Sequence, residues 1–176
     1  MTISRVSMER RRSDMEKLRA LQASFPHLFR IVSTDGSEPS LIRLSIRIPT
    51  ARRAKNPQIE QCETSVDVML PALYPLPPGP TVQFRTPIFN PNVFGSGSWC
   101  YGSWSISETL GQFVFRLLRT IALDPEIVNP KSAANPLAAE WYRSQRRNSR
   151  HLFPTVSLTA APAEPVAPKV MWRDVR

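Results

Sequence analysis

Seven of the 18 prolines fall between Pro71 and Pro91, and this cluster restricts the fold more than any other feature of the chain. Proline fixes φ and has no N–H to give to a helix turn or a ladder. Tyr74-Pro75-Leu76-Pro77-Pro78-Gly79-Pro80 therefore excludes helix and central strand alike. A rigid connector is expected there, and Thr81 to Arg85 beyond it has room for only a short strand.

The segments on either side carry clear periods. Met8, Met15, Leu18, Leu21 and Phe25 recur at helical spacing, with Arg11, Arg12, Glu16 and Arg19 on the opposite face, until Pro26 ends the pattern. Ile42, Leu44, Ile46 and Ile48 alternate with Arg43, Ser45 and Arg47 as in a half-buried strand. A shorter strand over Phe29–Val32 precedes it, with a turn around Asp35-Gly36. Cys62, Thr64, Val66, Val68 and Leu70 share one face of a third strand, so Cys62 is expected in the core. With Thr81–Arg85, these strands read as a four-stranded antiparallel meander.

After the connector, Thr86 to Tyr101 has no period, contains Asn90-Pro91-Asn92 and Gly95-Ser96-Gly97-Ser98, and ends with Cys100 and Tyr101. A long irregular segment is expected. Ser105-x-x-Glu108 reads as a capping box that opens a helix with Ile106, Leu110, Phe113, Val114, Leu117, Leu118 and Ile121 on one stripe. Asp124-Pro125 closes that helix. Asn135 as cap and Pro136 at the first helical position open a third helix, which runs into Arg146, Arg147 and Arg150. The fold class is α+β: an N-terminal helix, the meander and two C-terminal helices. Residues 1–150 are expected to form the domain, and 151–176 a flexible, basic Pro/Ala-rich tail.

Composition narrows the functional classes. The net charge is +9, yet residues 20–142 hold ten basic and nine acidic side chains, so the excess sits at the two ends. A nucleic-acid face spread over the body is therefore disfavoured, and Arg143, Arg146, Arg147 and Arg150 read as a solvated helix end whose cations suit the C-terminal dipole. No apolar run is long enough to span a membrane. With only Cys62 and Cys100 and no leader pattern, a cytoplasmic protein with free thiols is expected. Two histidines and two distant cysteines make no metal set. No glycine-rich phosphate loop follows a strand. A loop cysteine flanked by Gly, Ser and aromatic residues suits a thiol that must both attack an acyl group and leave it, so Cys100 is the candidate nucleophile.

In its motifs, the stretch from Tyr74 to Arg143 resembles the ubiquitin-conjugating (E2) family. Tyr74-Pro75-Leu76-Pro77-Pro78 looks like the family's Tyr-Pro-x-x-Pro-Pro elbow, Val82-Gln83-Phe84 like its fourth strand, and Asn90-Pro91-Asn92 like its His-Pro-Asn motif. Cys100 follows Asn92 by eight residues, the family's spacing to its active-site cysteine. Trp104-Ser105 and Asp124-Pro125 are similar to the lead-in and exit of its second helix. With the first helix and the strands in order, the likeness covers residues 8–150.

The resemblance implies a UBC-like fold and a thioester carrier. Cys100 would hold the acyl group and Asn92 would donate to the oxyanion. Asn90, Trp104 and Asn135 would support the active-site loop, Asn90 standing where the family has histidine. The first helix, through Arg11, Arg12 and Arg19, would dock an E1-like activating enzyme. No cofactor is implied, since ATP is used by that partner. The donor would be a ubiquitin-like protein and the acceptor an amine on a target protein.

The chain departs from the family in three places. Fewer residues than usual separate Cys100 from Trp104. Asn135 replaces an acidic residue before Pro136-Leu137. The link from Asp124 to Asn135 is long, and a tail follows where relatives often have a fourth helix. Such trimming resembles the divergent E2-like proteins of bacterial antiphage conjugation operons, some of which prime the C-terminus of a cGAS-like nucleotidyltransferase. A catalytically inactive E2-variant adaptor is the other reading, and those variants lack the cysteine.

Overall fold

In the computed structural model, which describes residues 5–158, the apolar periods become the elements expected from them. Helix α1 spans Arg5–Ser24 and buries Met15, Leu18 and Leu21. Strands β1 (Phe29–Thr34) and β2 (Leu41–Ile46) follow, then a two-residue ladder of β3 (Thr50–Ala51) and β4 (Ile59–Glu60). Next come β5 (Thr64–Met69) and β6 (Thr81–Phe84). The four longer strands form an antiparallel sheet in the order β1-β2-β5-β6. Helix α2 (Leu110–Ile121), helix α3 (Pro136–Asn148) and a 3-10 turn at Arg150–Leu152 complete the described chain. The arrangement is α+β and compatible with a UBC-like fold. No helix among the described residues is long and apolar enough to cross a membrane.

One core joins the inner face of the sheet to α1 and α2. Ile42, Leu44 and Ile46 of β2, Val66 and Val68 of β5, and Phe113, Val114, Leu117 and Leu118 of α2 all lie within it. Cys62, just before β5, is also buried, its Sγ 4.0 Å from the Ile48 carbonyl, on the side that the strand alternation implies. The helices approach closely at Gly111, where a Cβ would stand 3.1 Å from the Lys17 carbonyl oxygen. On the sheet's outer face Asp67 is covered by Arg43 and Arg85. The Arg43 hydrogen bond, with that from Arg85, holds its carboxyl below the usual range although burial opposes this.

The proline connector is a series of turns over 72–78, held from both sides. Tyr74 is fully buried. Its carbonyl accepts from Ser7 Oγ at 2.6 Å and its hydroxyl donates to Asp14, both on α1. From the other side Trp104 Nε1 donates to the Pro75 carbonyl at 2.7 Å, and its ring lies against Tyr74. Gly79, at φ +82, lies so close to Trp104 that a Cβ would stand 2.3 Å from Cγ. No side chain fits between the turn and the indole.

Three expectations need correction. Arg11 is not on the exposed face of α1. It is fully buried, and its guanidinium donates to the carbonyls of Pro39 and Pro71, both at 2.5 Å. An arginine opposite the apolar stripe reads as solvated, but here two carbonyls between strands lack ladder partners, and a long fork of donors reaches them.

The second helix begins one turn later than expected, capped by Thr109 and Gln112 in a reciprocal box. Glu108 cannot serve Ser105, because its carboxylate binds Arg116 and its carbonyl accepts from Arg10. Ile106 is consequently exposed rather than on the stripe.

The body also runs past residue 150. Phe153 is buried, Thr155 N–H donates to the Ala122 carbonyl at 2.8 Å, and Thr155 Oγ1 donates to that of Pro49 at 2.6 Å. Val156 and Leu158 pack on the core. The rest of the expected tail, 159–176, lies outside the described residues.

Replacing Arg11 by leucine strands two carbonyls and should lower stability by about 2–4 kcal/mol in urea titration. Arg19→Ala, at an exposed site, should change it by less than about 0.5 kcal/mol. Equal small effects would return Arg11 to the solvated face.

Candidate functional site

The segment 86–101 has no period because it is built by pairing across a tight hairpin rather than along a strand. Val93 and Trp99 form a bridge, with Phe94 N–H donating to the Ser98 carbonyl and Gly97 N–H to that of Phe94. The hairpin lies on the free edge of β6. Phe84 N–H donates to the Gly97 carbonyl at 2.8 Å and Trp99 N–H to that of Val82 at 3.1 Å. Gly97 has φ +88, and a Cβ there would meet the Phe84 carbonyl oxygen at 2.8 Å. Only glycine permits both the turn and this approach.

The ladder continues one step beyond Val93 and Trp99 to Asn92 and Cys100. Cys100 N–H donates to the Asn92 carbonyl at 2.8 Å, and Asn92 Nδ2 donates to the Cys100 carbonyl at 3.3 Å. The eight-residue spacing thus has a geometric basis, since it is the register of the hairpin. Asn92 is half-buried, with its Oδ1 enclosed and bonded to nothing among the described residues. The amide presents its donor end to the Cys100 backbone carbonyl.

Asn90 is fully buried and locks this arrangement to the body. Its Nδ2 donates to the Thr120 carbonyl at the end of α2, and its Oδ1 accepts from Asn92 N–H at 2.9 Å. Asn135 meets the same loop from another side, its N–H donating to the Pro91 carbonyl at 3.1 Å. Its side-chain oxygen is engaged by Ala138 N–H as the cap of α3, so it is not placed as a proton acceptor. Trp104 does not touch the cysteine pair through any hydrogen bond. It braces the connector and packs edge-on against Phe113 at 5.6 Å.

Cys100 is a half-buried residue, whereas Cys62 is buried. No histidine or carboxylate bonds to Cys100 among the described residues, so the site offers a thiol and an amide but no attached base. Arg11, Arg12 and Arg19 lie on α1, outside this constellation. Arg12 is exposed and paired with Glu38, and Arg19 is exposed.

Arg116 is the residue that the sequence reading missed. It donates to the Tyr101 carbonyl at 2.6 Å and the Ser103 carbonyl at 3.4 Å, fixing the chain just after Cys100. Its guanidinium lies 5.4–5.7 Å from the ring centroids of Trp99, Tyr101 and Phe113 and pairs with Glu108 at 2.9 Å. The available signal was an arginine three residues after Phe113, at the margin of an otherwise apolar helix stripe.

No protein-family model matches the chain. Over 78 residues it is 36% identical to the ubiquitin-conjugating enzyme E2 1 of Caenorhabditis elegans, a match covering 42% of this chain and 38% of the worm protein. The chain thus spans well under two thirds of that relative. The likeness supports a distant tie to the ubiquitin-conjugating enzymes and goes no finer.

Iodoacetamide under native conditions should alkylate Cys100 and leave Cys62 intact until the protein is unfolded, as read by peptide mass mapping. Faster native labelling of Cys62 would invert the assignment of the accessible thiol.

Proposed function

We propose that this chain is an E2-type carrier that accepts the C-terminus of a ubiquitin-like protein as a thioester on Cys100 and passes it to an amine. The observation that carries this reading is the pairing of Asn92 with Cys100. The Asn92 side-chain amide donates to the backbone carbonyl of the half-buried Cys100 in one hairpin register, anchored by Asn90.

The chemistry follows from these groups. The Cys100 thiolate attacks the thioester carbonyl held by an E1-like activating enzyme, and that enzyme's thiol leaves. ATP is used in that earlier activation and needs no site on this chain. A lysine or other amine then attacks the new thioester. The tetrahedral oxyanion is met by the Asn92 amide, and collapse expels the Cys100 thiolate. With the Asn135 oxygen held by its helix cap, the amine must lose its proton to water or to a group on the acceptor.

The short step from Cys100 to Trp104 and the asparagine at 135 support placing the chain among the trimmed, bacterial E2-like proteins of antiphage conjugation systems. Docking of the activating enzyme falls to the exposed Arg12 and Arg19 of α1, and Arg11, being buried, has no part in it.

Asn92→Ala should leave loading of Cys100 nearly normal and slow discharge to amine by roughly 10²–10³, measured in single-turnover assays. Equal slowing of both steps would make Asn92 structural. Cys100→Ser should replace the thiol-labile adduct with an ester that resists reducing agent. A labile adduct persisting in that variant would move the chemistry elsewhere.

Charge reversal at Arg12 and Arg19 should slow loading at low salt, slow it less at high salt, and leave discharge from preloaded protein unchanged. Unchanged loading at low salt would remove α1 from the interface.

A further inference from the structure

Four arginines gather at the end of α3. Arg143, Arg146 and Arg147 recur at helical spacing on α3, and Arg150 opens the 3-10 turn behind it. The four line a single cleft of about 320 Å³, completed by Pro130 and Tyr142. That is the lower end of the range for small-ligand sites.

Three observations distinguish this cleft from the rest of the surface. First, none of the four arginines is ion-paired among the described residues; the exposed Arg19, Arg52 and Arg53 share that state, but here four such groups line one cleft, whereas Arg12, Arg30, Arg43, Arg85, Arg116 and Arg119 each meet a carboxylate. Glu140, the nearest acid in sequence, is exposed and pairs with none of them. Second, the floor is rigid. The Tyr142 hydroxyl donates to the Leu123 carbonyl at 3.2 Å, its ring packs edge-on against Phe153 at 5.2 Å, and the Arg146 guanidinium lies 6.0 Å from its centroid. Burial pushes the phenol up to about 12, so it supplies no negative charge to the cleft near neutrality. Third, Arg143 donates to the Pro130 carbonyl at 3.3 Å, which ties the rim to the link before α3.

Four guanidiniums around one concavity repel each other, and the partial negative end of α3 offsets only about half a charge. A multivalent anion relieves that repulsion and is met by forked donors suited to phosphate oxygens. Residues 20–142 hold ten basic and nine acidic side chains, so the body between α1 and this cleft offers no basic track of the length a polynucleotide needs.

We infer that this cleft is a binding site for a compact oligophosphate, held by Arg143, Arg146, Arg147 and Arg150 above the Tyr142 ring. The site lies on residues that the proposed thioester chemistry does not use, and it stands independently of that reading.

Isothermal titration of the full chain with tripolyphosphate, and separately with a short single-stranded oligonucleotide, tests this directly. The wild type should bind one tripolyphosphate. Arg146→Gln with Arg150→Gln should weaken it by about tenfold or more, the loss of about 1.4 kcal/mol per decade. Arg52→Gln with Arg53→Gln removes the same charge from exposed positions outside the cleft and should change affinity by less than about twofold.

Absence of saturable binding, or equal weakening by the two double variants, overturns the site. An oligonucleotide that binds no tighter than tripolyphosphate supports the compact ligand. One that binds tenfold tighter through the same arginines assigns the phosphates to a polynucleotide and overturns that choice. Arg150→Gln alone lies outside α3 and provides the same comparison if the double variant loses helix by circular dichroism.

Discussion

Tyr74 is the point on which the rest of the structure turns. Its ring is enclosed, its hydroxyl donates to the buried Asp14 carboxylate, and its carbonyl accepts from Ser7. Burial first, and then the bond to Asp14, push the phenol far above its ordinary range, so it remains a neutral donor wherever the protein is folded. Asp14 also receives Arg10 Nε at 2.6 Å, and the Arg10 fork goes on to the Ile106 and Glu108 carbonyls. One buried cluster therefore ties α1, the proline connector and the lead-in to α2 together. Removing a single partner from such a cluster leaves a buried charge unmet, a cost of about 3–5 kcal/mol.

From that anchor the cysteine loop is positioned by successive contacts. Trp104 fits against Gly79 and Pro75, Tyr101 reaches the Pro78 carbonyl, and Arg116 holds the carbonyls of Tyr101 and Ser103. On the other arm, Asn90 joins the Asn92 turn to the end of α2. Cys100 lies between two fixed segments, and its spacing from Asn92 is the register of a hairpin rather than the length of a free loop. Under the proposed chemistry, a cysteine backbone and an amide held this way would need little reorganisation when an acyl group arrives.

The parts legible in the sequence were those set by local period and by proline. The alternation in β2 and β5 placed Cys62 inside, and the 3.6-residue stripe located α1 and α2, because burial of one face dictates both patterns. What escaped was set by partners distant in sequence. Arg11 is buried because the Pro39 and Pro71 carbonyls need donors, and Ser105 loses the helix cap because Glu108 is engaged by Arg116. The hairpin at 93–99 and the docking of Phe153 to Leu158 depend on a free edge of β6 and an uncovered flank of the core. Neither is visible until the chain has folded. Motif spacing singled out Cys100, Asn90 and Asn92, which the hairpin brings together. Arg116 was not singled out, since its place at the margin of the α2 stripe hints only at an aromatic neighbour, and the carbonyls it holds carry no sequence signal.

The central claim is that Cys100 carries an acyl group as a thioester, and a partner-independent measurement tests it most directly. The protein is incubated with ubiquitin bearing a C-terminal thioester of a small thiol, and its intact mass is recorded before and after dithiothreitol. The account predicts a single ubiquitin adduct, lost on reduction and absent when Cys100 has first been alkylated under native conditions. No adduct, an adduct that survives reduction, or one that forms with Cys100 blocked would contradict it.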